Sequence, residues 1–341
     1  MNVIELAERG WLPDRLVRIG IRRLLKIRLG QQDATDVEQQ SEHFTRLIQS
    51  LTESDIAIET DAANQQHYEV PAAFYRLALG KHLKYSCGYW PNGVQTLDDS
   101  EAAMLAQSCE AAQLSNGQTI LELGCGWGSL TLWMAQHYPD SQITAVSNSN
   151  SQREWILGQA DERGLTNLEV LTCDVNDLEL DRSFDRVVSI EMFEHVRNYQ
   201  QLMKKIAGWL TPQGVLFVHI FCHRHLMYPF ETEGDGNWMG RYFFAGGLMP
   251  AADTLLYFQD DLNIDRRWLF SGTHYAQTAR AWLDQTDRHR TEIQAVFEQT
   301  YGADASIWLQ RWRMFFMACE ELFNYNSGQD WMVGHFRFTK R

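Results

Sequence analysis

The pentapeptide Glu191-Met-Phe-Glu-His195 gathers two carboxylates and an imidazole into five residues. On a helical turn, Glu191, Glu194 and His195 stand at i, i+3 and i+4 and share one face. Two carboxylates can hold an ammonium group. The imidazole, whose ordinary pKa is about 6.5, can take a proton near neutral pH. The bland alternative is that the acids pair with Arg197 or cap a helix. Position favours chemistry, because the pentapeptide follows the apolar run Phe184–Ile190, and open α/β sheets place their ligand crevice at the carboxyl ends of strands.

A second cluster, Leu121-Glu-Leu-Gly-Cys-Gly-Trp-Gly128, separates an apolar strand pattern from a helical one. Gly124, Gly126 and Gly128 let the backbone turn tightly and approach a ligand where side chains would clash. Dinucleotide enzymes use a similar turn. Here, however, the spacing is GxGxG rather than GxGxxG, Glu122 lies at the end of the preceding strand, and no Lys-Ser/Thr follows for nucleotide phosphates. A looser group is His219, His223 and His225; only the last two are close and no acid motif supports them, so no metal is expected.

The elements that must position these residues alternate. After Asn116-Gly117, strands at Thr119–Leu123, Gln142–Val146, Leu168–Thr172, Phe184–Ile190 and Gly214–Ile220 are separated by helices near Ser129–His137, Gln152–Arg163 and Tyr199–Leu210. Strands separated by single helices imply a parallel sheet with helices on both faces. Upstream the pattern is helical to about Leu51, again from Tyr68-Glu-Val-Pro71, and over Leu97–Leu114. The polar stretch 59–66 is the candidate linker. The expected division is therefore an N-terminal helical extension, 1–62, and a main domain, 63–341, with a ligand-binding core near 116–220 and a substrate-capping insert near 221–275. Regular pattern resumes near Leu262–Leu269, continues through helices from about Thr278, and ends in Trp331–Phe338, expected as an edge strand.

The string around Gly124 resembles the E/D-x-G-x-G-x-G motif of class I S-adenosylmethionine-dependent methyltransferases. Further strings extend the likeness over nearly the whole chain, among them Tyr68-Glu-Val-Pro71, Ser86-Cys-Gly-Tyr-Trp90, Glu191–His195, Val218-His-Ile-Phe-Cys-His223 and His274-Tyr-Ala-Gln-Thr278. Together they are similar to the group joining cyclopropane-fatty-acid synthases with coclaurine N-methyltransferases. The stretches Trp238–Thr278 and Trp312–Phe338 are closer to the N-methyltransferase branch. The resemblance implies an α/β fold: a Rossmann-like class I methyltransferase core with a mostly parallel seven-stranded sheet, an N-terminal helical extension and a helical insert after strand five.

It also implies S-adenosylmethionine as cofactor, leaving as S-adenosylhomocysteine, held by Ser86, Glu122, Gly124, Gly126, Gly128, Asn148, Gln152, Asp174 and Val175. Most class I members end the second strand with an acid for the ribose hydroxyls; this chain has Val146-Ser-Asn-Ser-Asn-Ser-Gln152. Asn148 and Gln152 can supply hydrogen bonds instead, and the missing carboxylate argues against NAD. Asp174 could accept from the adenine amino group. Singly, each of these three could be an ordinary turn or cap residue.

By the same resemblance, Glu191 and His195 match the acid/base residues of the N-methyltransferases, and Glu194 the family's catalytic glutamate. Tyr68, Trp312 and Phe315 are placed to enclose a flat or cationic substrate, with burial in a helix face as their alternative. Cys87, Glu194, His219 and Tyr275 resemble the bicarbonate-binding set of the cyclopropane synthases, so the two branches overlap at the substrate pocket. The expected activity is methylation of a small-molecule amine; the alternative is addition of a methylene to an unsaturated acyl chain.

Charge narrows the partners. Across 341 residues the net charge is −14, a field that repels phosphate backbones and excludes nucleic acid while attracting cations. Residues 1–30 are the exception, with seven basic residues against three acidic ones and apolar residues between them. Such a helix can lie on an anionic membrane, though docking on the protein's own acidic body, or on a twin subunit in a homodimer, is the commoner use. The six cysteines form no CxxC pair and are expected to be reduced thiols. Neither a secretory signal nor a membrane-spanning apolar run is visible. A cytoplasmic enzyme is expected, touching membrane only under the lipid alternative.

Overall fold

The computed structural model describes residues 2–32, 36–58 and 70–341. Its elements begin with helices α1 (Val3–Glu8), α2 (Asp14–Gln32), α3 (Val37–Thr52), α4 (Ala72–Ala78) and α5 (Leu97–Ala111). The alternating part follows: β1 (Thr119–Leu123), α6 (Ser129–His137), β2 (Gln142–Ser147), α7 (Asn150–Glu162), β3 (Leu168–Thr172), β4 (Phe184–Ile190), α8 (Tyr199–Trp209) and β5 (Leu210–His223). Then come β6 (Tyr228–Pro229), α9 (Trp238–Tyr242), β7 (Leu248–Met249), β8 (Leu262–Phe270), α10 (Gly272–Arg288), α11 (Arg290–Tyr301), α12 (Ala305–Asn324) and β9 (Trp331–Lys340). The candidate linker, 59–66, and Tyr68 lie outside the described residues.

One seven-stranded sheet runs in the order β3-β2-β1-β4-β5-β9-β8. Neighbours from β3 to β5 are parallel, and β9 is antiparallel to both β5 and β8. This is the Rossmann-like class I methyltransferase architecture. Alternation of side chains gives the sheet two covered faces. Leu121, Leu123, Val187, Leu216 and Val218 join α8 residues such as Leu202 and Ile206 in one core. Ile120, Ile143, Val188 and Phe217 join Leu105 of α5 and Met134 of α6 in the other. The strand order reverses between β1 and β4, so the loops leaving them diverge and open a crevice at the switch point. The glycine turn and Glu191 are thereby set side by side.

Trp331–Phe338 is not an edge strand. It lies between β5 and β8, and Leu262–Phe270 forms the edge. Burial explains the inversion: every residue from Trp331 to Phe336 is buried, whereas β8 exposes Asn263, Asp265, Arg266 and Arg267. Within 221–275, the excursion above the sheet consists of α9, short turns and the β6–β7 pair, and β8 already belongs to the main sheet.

A third core is built by α4, α10, α11 and α12, with Phe74, Trp282, Phe297, Trp312 and Phe316 buried within it. The basic helix α2 docks on this layer rather than standing apart. Arg18 pairs with Glu320 at 2.7 Å and Glu321 at 2.8 Å, and Arg313 of α12 bridges Asp14 at 2.7 Å and Asp287 at 2.5 Å. Glu8 of α1 accepts from Trp238 Nε1 and Arg311 Nε. Among the described residues, no helix is long and apolar enough to cross a membrane.

Candidate active site

The crevice at the switch point divides into a groove and a chamber. The groove is lined by Gly124, Gly126, Asn148, Gln152, Asp174, Val175 and His195. Gly126 has φ +51°, and a Cβ added there would meet no atom within 4 Å. The space over this turn is therefore open to a ligand, which fits the close approach of a cofactor's methionine part. Gly128 does a different job. It caps α6 with φ +81°, and a Cβ there would lie 2.5 Å from Ile156 Cγ1, so its bareness lets α7 pack closely. Asp174 accepts from the Asn176 N–H at 2.8 Å through one oxygen, as a turn residue does. Gln152 accepts from Ser147 Oγ at 2.7 Å. Glu122 is buried and takes a short hydrogen bond from Thr131, which ties β1 to α6. Burial pushes its pKa to about 8, so at neutral pH it is largely protonated.

The chamber, a cavity of about 130 Å³, adjoins the groove across Gly124, Gly126, Gln152 and His195, and reaches Lys84, Ser86, Glu191, Tyr275 and Phe315. Glu191 leaves the end of β4 with φ +48°, a left-handed conformation uncommon outside glycine. Its N–H donates to the His219 carbonyl at 2.8 Å, and its carboxylate meets three donors. Oε1 accepts from the Cys87 N–H at 2.9 Å and faces His219 Nε2 at 3.1 Å, while Oε2 accepts from the Tyr275 hydroxyl at 2.6 Å. His219 Nδ1 lies 2.9 Å from His335 Nε2. If His335 donates there, His219 is left with the Nε2–H that the carboxylate requires. Lys84, fully buried, is joined to Ser86 by a short hydrogen bond. Burial raises the pKa of Glu191, and the Lys84 charge opposes that rise most strongly.

The turn after Glu191 is a short 3-10 segment, Phe193–His195. With Glu191 itself left-handed, the three polar residues do not share one face. Glu191 and His195 line the chamber. Glu194 turns beneath it, fully buried, and accepts from the Phe221 N–H at 2.7 Å. Its other oxygen has no hydrogen-bond partner among the described residues. Burial, and then the Glu191 charge, raise its pKa well above the usual carboxylate range. The His195 ring stacks on Phe244 at 4.9 Å, and burial lowers its pKa to about 4. His195 is thus neutral at physiological pH, at the joint of groove and chamber.

The remaining expected residues fall into distinct places. Cys87 and His219 hold the Glu191 carboxylate from behind. Trp312 is buried against Phe74 at 4.6 Å and Phe243 at 5.0 Å, outside the chamber wall. Lys84, Phe221, Phe244 and His335 belong to the site without having been marked in the sequence. Only Lys84 carried a signal, as the last charged residue before the uncharged stretch 85–97 that holds Ser86. Beside the chamber lies an apolar cavity of about 270 Å³, sharing Phe221, Phe244, Tyr275 and Phe315 with it and walled by Val17, Ile21 and Leu25 of α2.

Residues 57–332 match the protein family described as mycolic acid cyclopropane synthetase. The chain belongs to that family. It is an S-adenosylmethionine-dependent methyltransferase. The chain is 37% identical to an (S)-coclaurine N-methyltransferase from Thalictrum flavum subsp. glaucum, over 100% of this chain and 96% of that one. A crystal structure of coclaurine N-methyltransferase bound to N-methylheliamine and SAH superposes with a TM-score of 0.96, covering 99% of each chain at 37% identity. Likeness to the cyclopropane-fatty-acyl-phospholipid synthase of Escherichia coli (strain K12) is lower, at 27% identity over 79% of this chain and 66% of that protein.

Proposed function

We propose that this enzyme methylates the nitrogen of a small, largely apolar, ring-bearing amine. The observation that carries the reading is the Glu191–His195 pair, lining the chamber that lies between the groove and an apolar cavity with aromatic walls. The coclaurine N-methyltransferase relatives, one of them seen with N-methylheliamine, point to the same class. S-adenosylmethionine supplies an activated methyl on its sulfonium. What remains for the chain is to place the nitrogen in line, strip its proton and shut out water.

His195, neutral and half-facing the groove, accepts the proton that the nitrogen must lose. Glu191, locked by Cys87, His219 and Tyr275, holds the amine by its cationic character and stabilises the imidazolium that forms. Phe221, Phe244 and Phe315 enclose the ring system and exclude water. The second reading, methylene addition to an acyl chain, leans on the set that resembles a bicarbonate site. Here Cys87, His219 and Tyr275 converge on the chain's own Glu191 carboxylate, which favours the amine. A panel of secondary and tertiary amines, assayed beside unsaturated phospholipid vesicles for conversion of S-adenosylmethionine, tests the choice. Methylated amines with silent vesicles are expected; cyclopropane lipids with a silent amine panel would replace this reading with the second.

A further inference from the structure

Exposed apolar side chains are concentrated in one place. Of ten large hydrophobic residues exposed among the described residues, six lie between residues 3 and 27: Val3, Trp11, Leu16, Ile19, Leu24 and Ile27. On α2, helical spacing winds Ile19, Leu16, Ile27 and Leu24 into one outward stripe, with Arg15, Arg22 and Lys26 along its flank and Arg23 within it. The opposite side of α2 is already spent on docking, through Val17, Ile21, Leu25, Arg18 and Arg28. Arg22 shares Glu321 with Arg18, but among the described residues no ion pair engages Arg15, Arg23 or Lys26. A patch of clustered, exposed apolar groups is an interaction surface by default. Moreover, Val3, Leu16, Gly20 and Leu24 are exposed and also line the 270 Å³ apolar cavity, so the cavity opens on this face, with Glu231 on its opposite rim.

We propose that the outer face of α2, with Val3 and Trp11 beside it, docks on an anionic lipid surface and sets the cavity mouth against it. An apolar stripe flanked by cations, with a tryptophan at its end, is the pattern of a helix lying in a bilayer interface. Charge complementarity selects the partner. Residues 1–30 contribute +4 to a chain whose total is −14, so a negative surface attracts this face and repels the rest, which fixes the orientation. A second copy of the chain fits poorly, because two-fold pairing would set the basic patch of Arg15, Arg23 and Lys26 against the same basic patch of the other copy. The docking does not depend on which acceptor is methylated, although an apolar amine dissolved in lipid would then meet the cavity directly.

The test is co-sedimentation of the full chain with phosphatidylcholine vesicles, with and without phosphatidylglycerol, at low and high salt. Binding is expected only to the vesicles containing phosphatidylglycerol, weakening with salt. The triple variant Arg15→Glu/Arg23→Glu/Lys26→Glu should bind about a hundredfold more weakly at low salt, and Leu16→Ser/Ile27→Ser should also weaken it. Both variants should keep the thermal shift given by S-adenosylmethionine, which shows that they fold. No binding to anionic vesicles, or undiminished binding by the triple variant, overturns the proposal. So does light scattering that shows a dimer of the parent converted to monomer by Leu16→Ser/Ile27→Ser, since the face would then be a self-interface.

Discussion

Burial decides what each polar residue of the site can do. His195, with its pKa lowered to about 4, stays neutral from pH 6 upward in the free enzyme. The acid limb of kcat/KM is therefore expected near pH 4, where His195 itself takes up a proton, and should stay in place when a more or less basic amine is supplied. His195→Ala should lower turnover by roughly 100- to 10,000-fold with cofactor affinity nearly unchanged, and the defect should shrink as pH rises and more neutral amine is present. Glu191→Gln replaces an acceptor oxygen of a carboxylate held by three donors, so its defect should persist at high pH. Glu194→Gln should cost less, because Glu194 lies outside the chamber lining and the amide retains a carbonyl for the Phe221 N–H. The pH–rate profiles of the three variants distinguish these roles; near-parental turnover in both His195→Ala and Glu191→Gln would make the cluster structural. Much of this site was legible, since the glycine turn and the Glu191–His195 string are short and lie at strand ends. The split between Glu191 and Glu194 was not, because nothing local announces a left-handed glutamate. Lys84, Phe221 and Phe244 join the site only through packing between segments distant in sequence.

Among the elements, α2 is held by a few strong contacts, and Arg313 is the chief of them. It donates to Asp14 and Asp287 from a side chain that is only 10% exposed. Arg313→Met is expected to cost about 1–2 kcal/mol, discounted because both aspartates are partly solvated. It should also speed proteolytic cutting near α1 and α2, with urea unfolding and limited digestion as the measurements. Asp14 has a lowered pKa, first through its hydrogen bond from Arg313. Its contribution is thus complete above the ordinary carboxylate range and is lost as pH falls through the lowered value. The α/β alternation was readable almost to the residue at β1, α6, β3 and β4, where apolar runs are bounded by glycine or polar turns. The place of Trp331–Lys340 in the sheet was not, because a strand's neighbours are set by connections that span the whole domain.

For the molecule as a whole, cofactor binding is the simplest observable. S-adenosylmethionine and S-adenosylhomocysteine should raise the melting temperature, since a ligand at one hundred times its Kd adds about 2.7 kcal/mol, while NAD should not. Gly126→Val should abolish that shift, its side chain filling the open space over the turn; an unimpaired shift would refute the placement. The order of strands has one more consequence, for the time course of synthesis. The crevice at the switch point is finished once β5 is made, but β5 gains its second neighbour only from β9, roughly a hundred residues later. At about 5–20 residues per second, the growing chain keeps a bare sheet edge open for several seconds, and an unpaired edge invites association with other chains. His335 arrives on that same late strand and completes the support behind Glu191. A ribosome-bound chain therefore completes the groove over the glycine turn before the chamber beside it is braced.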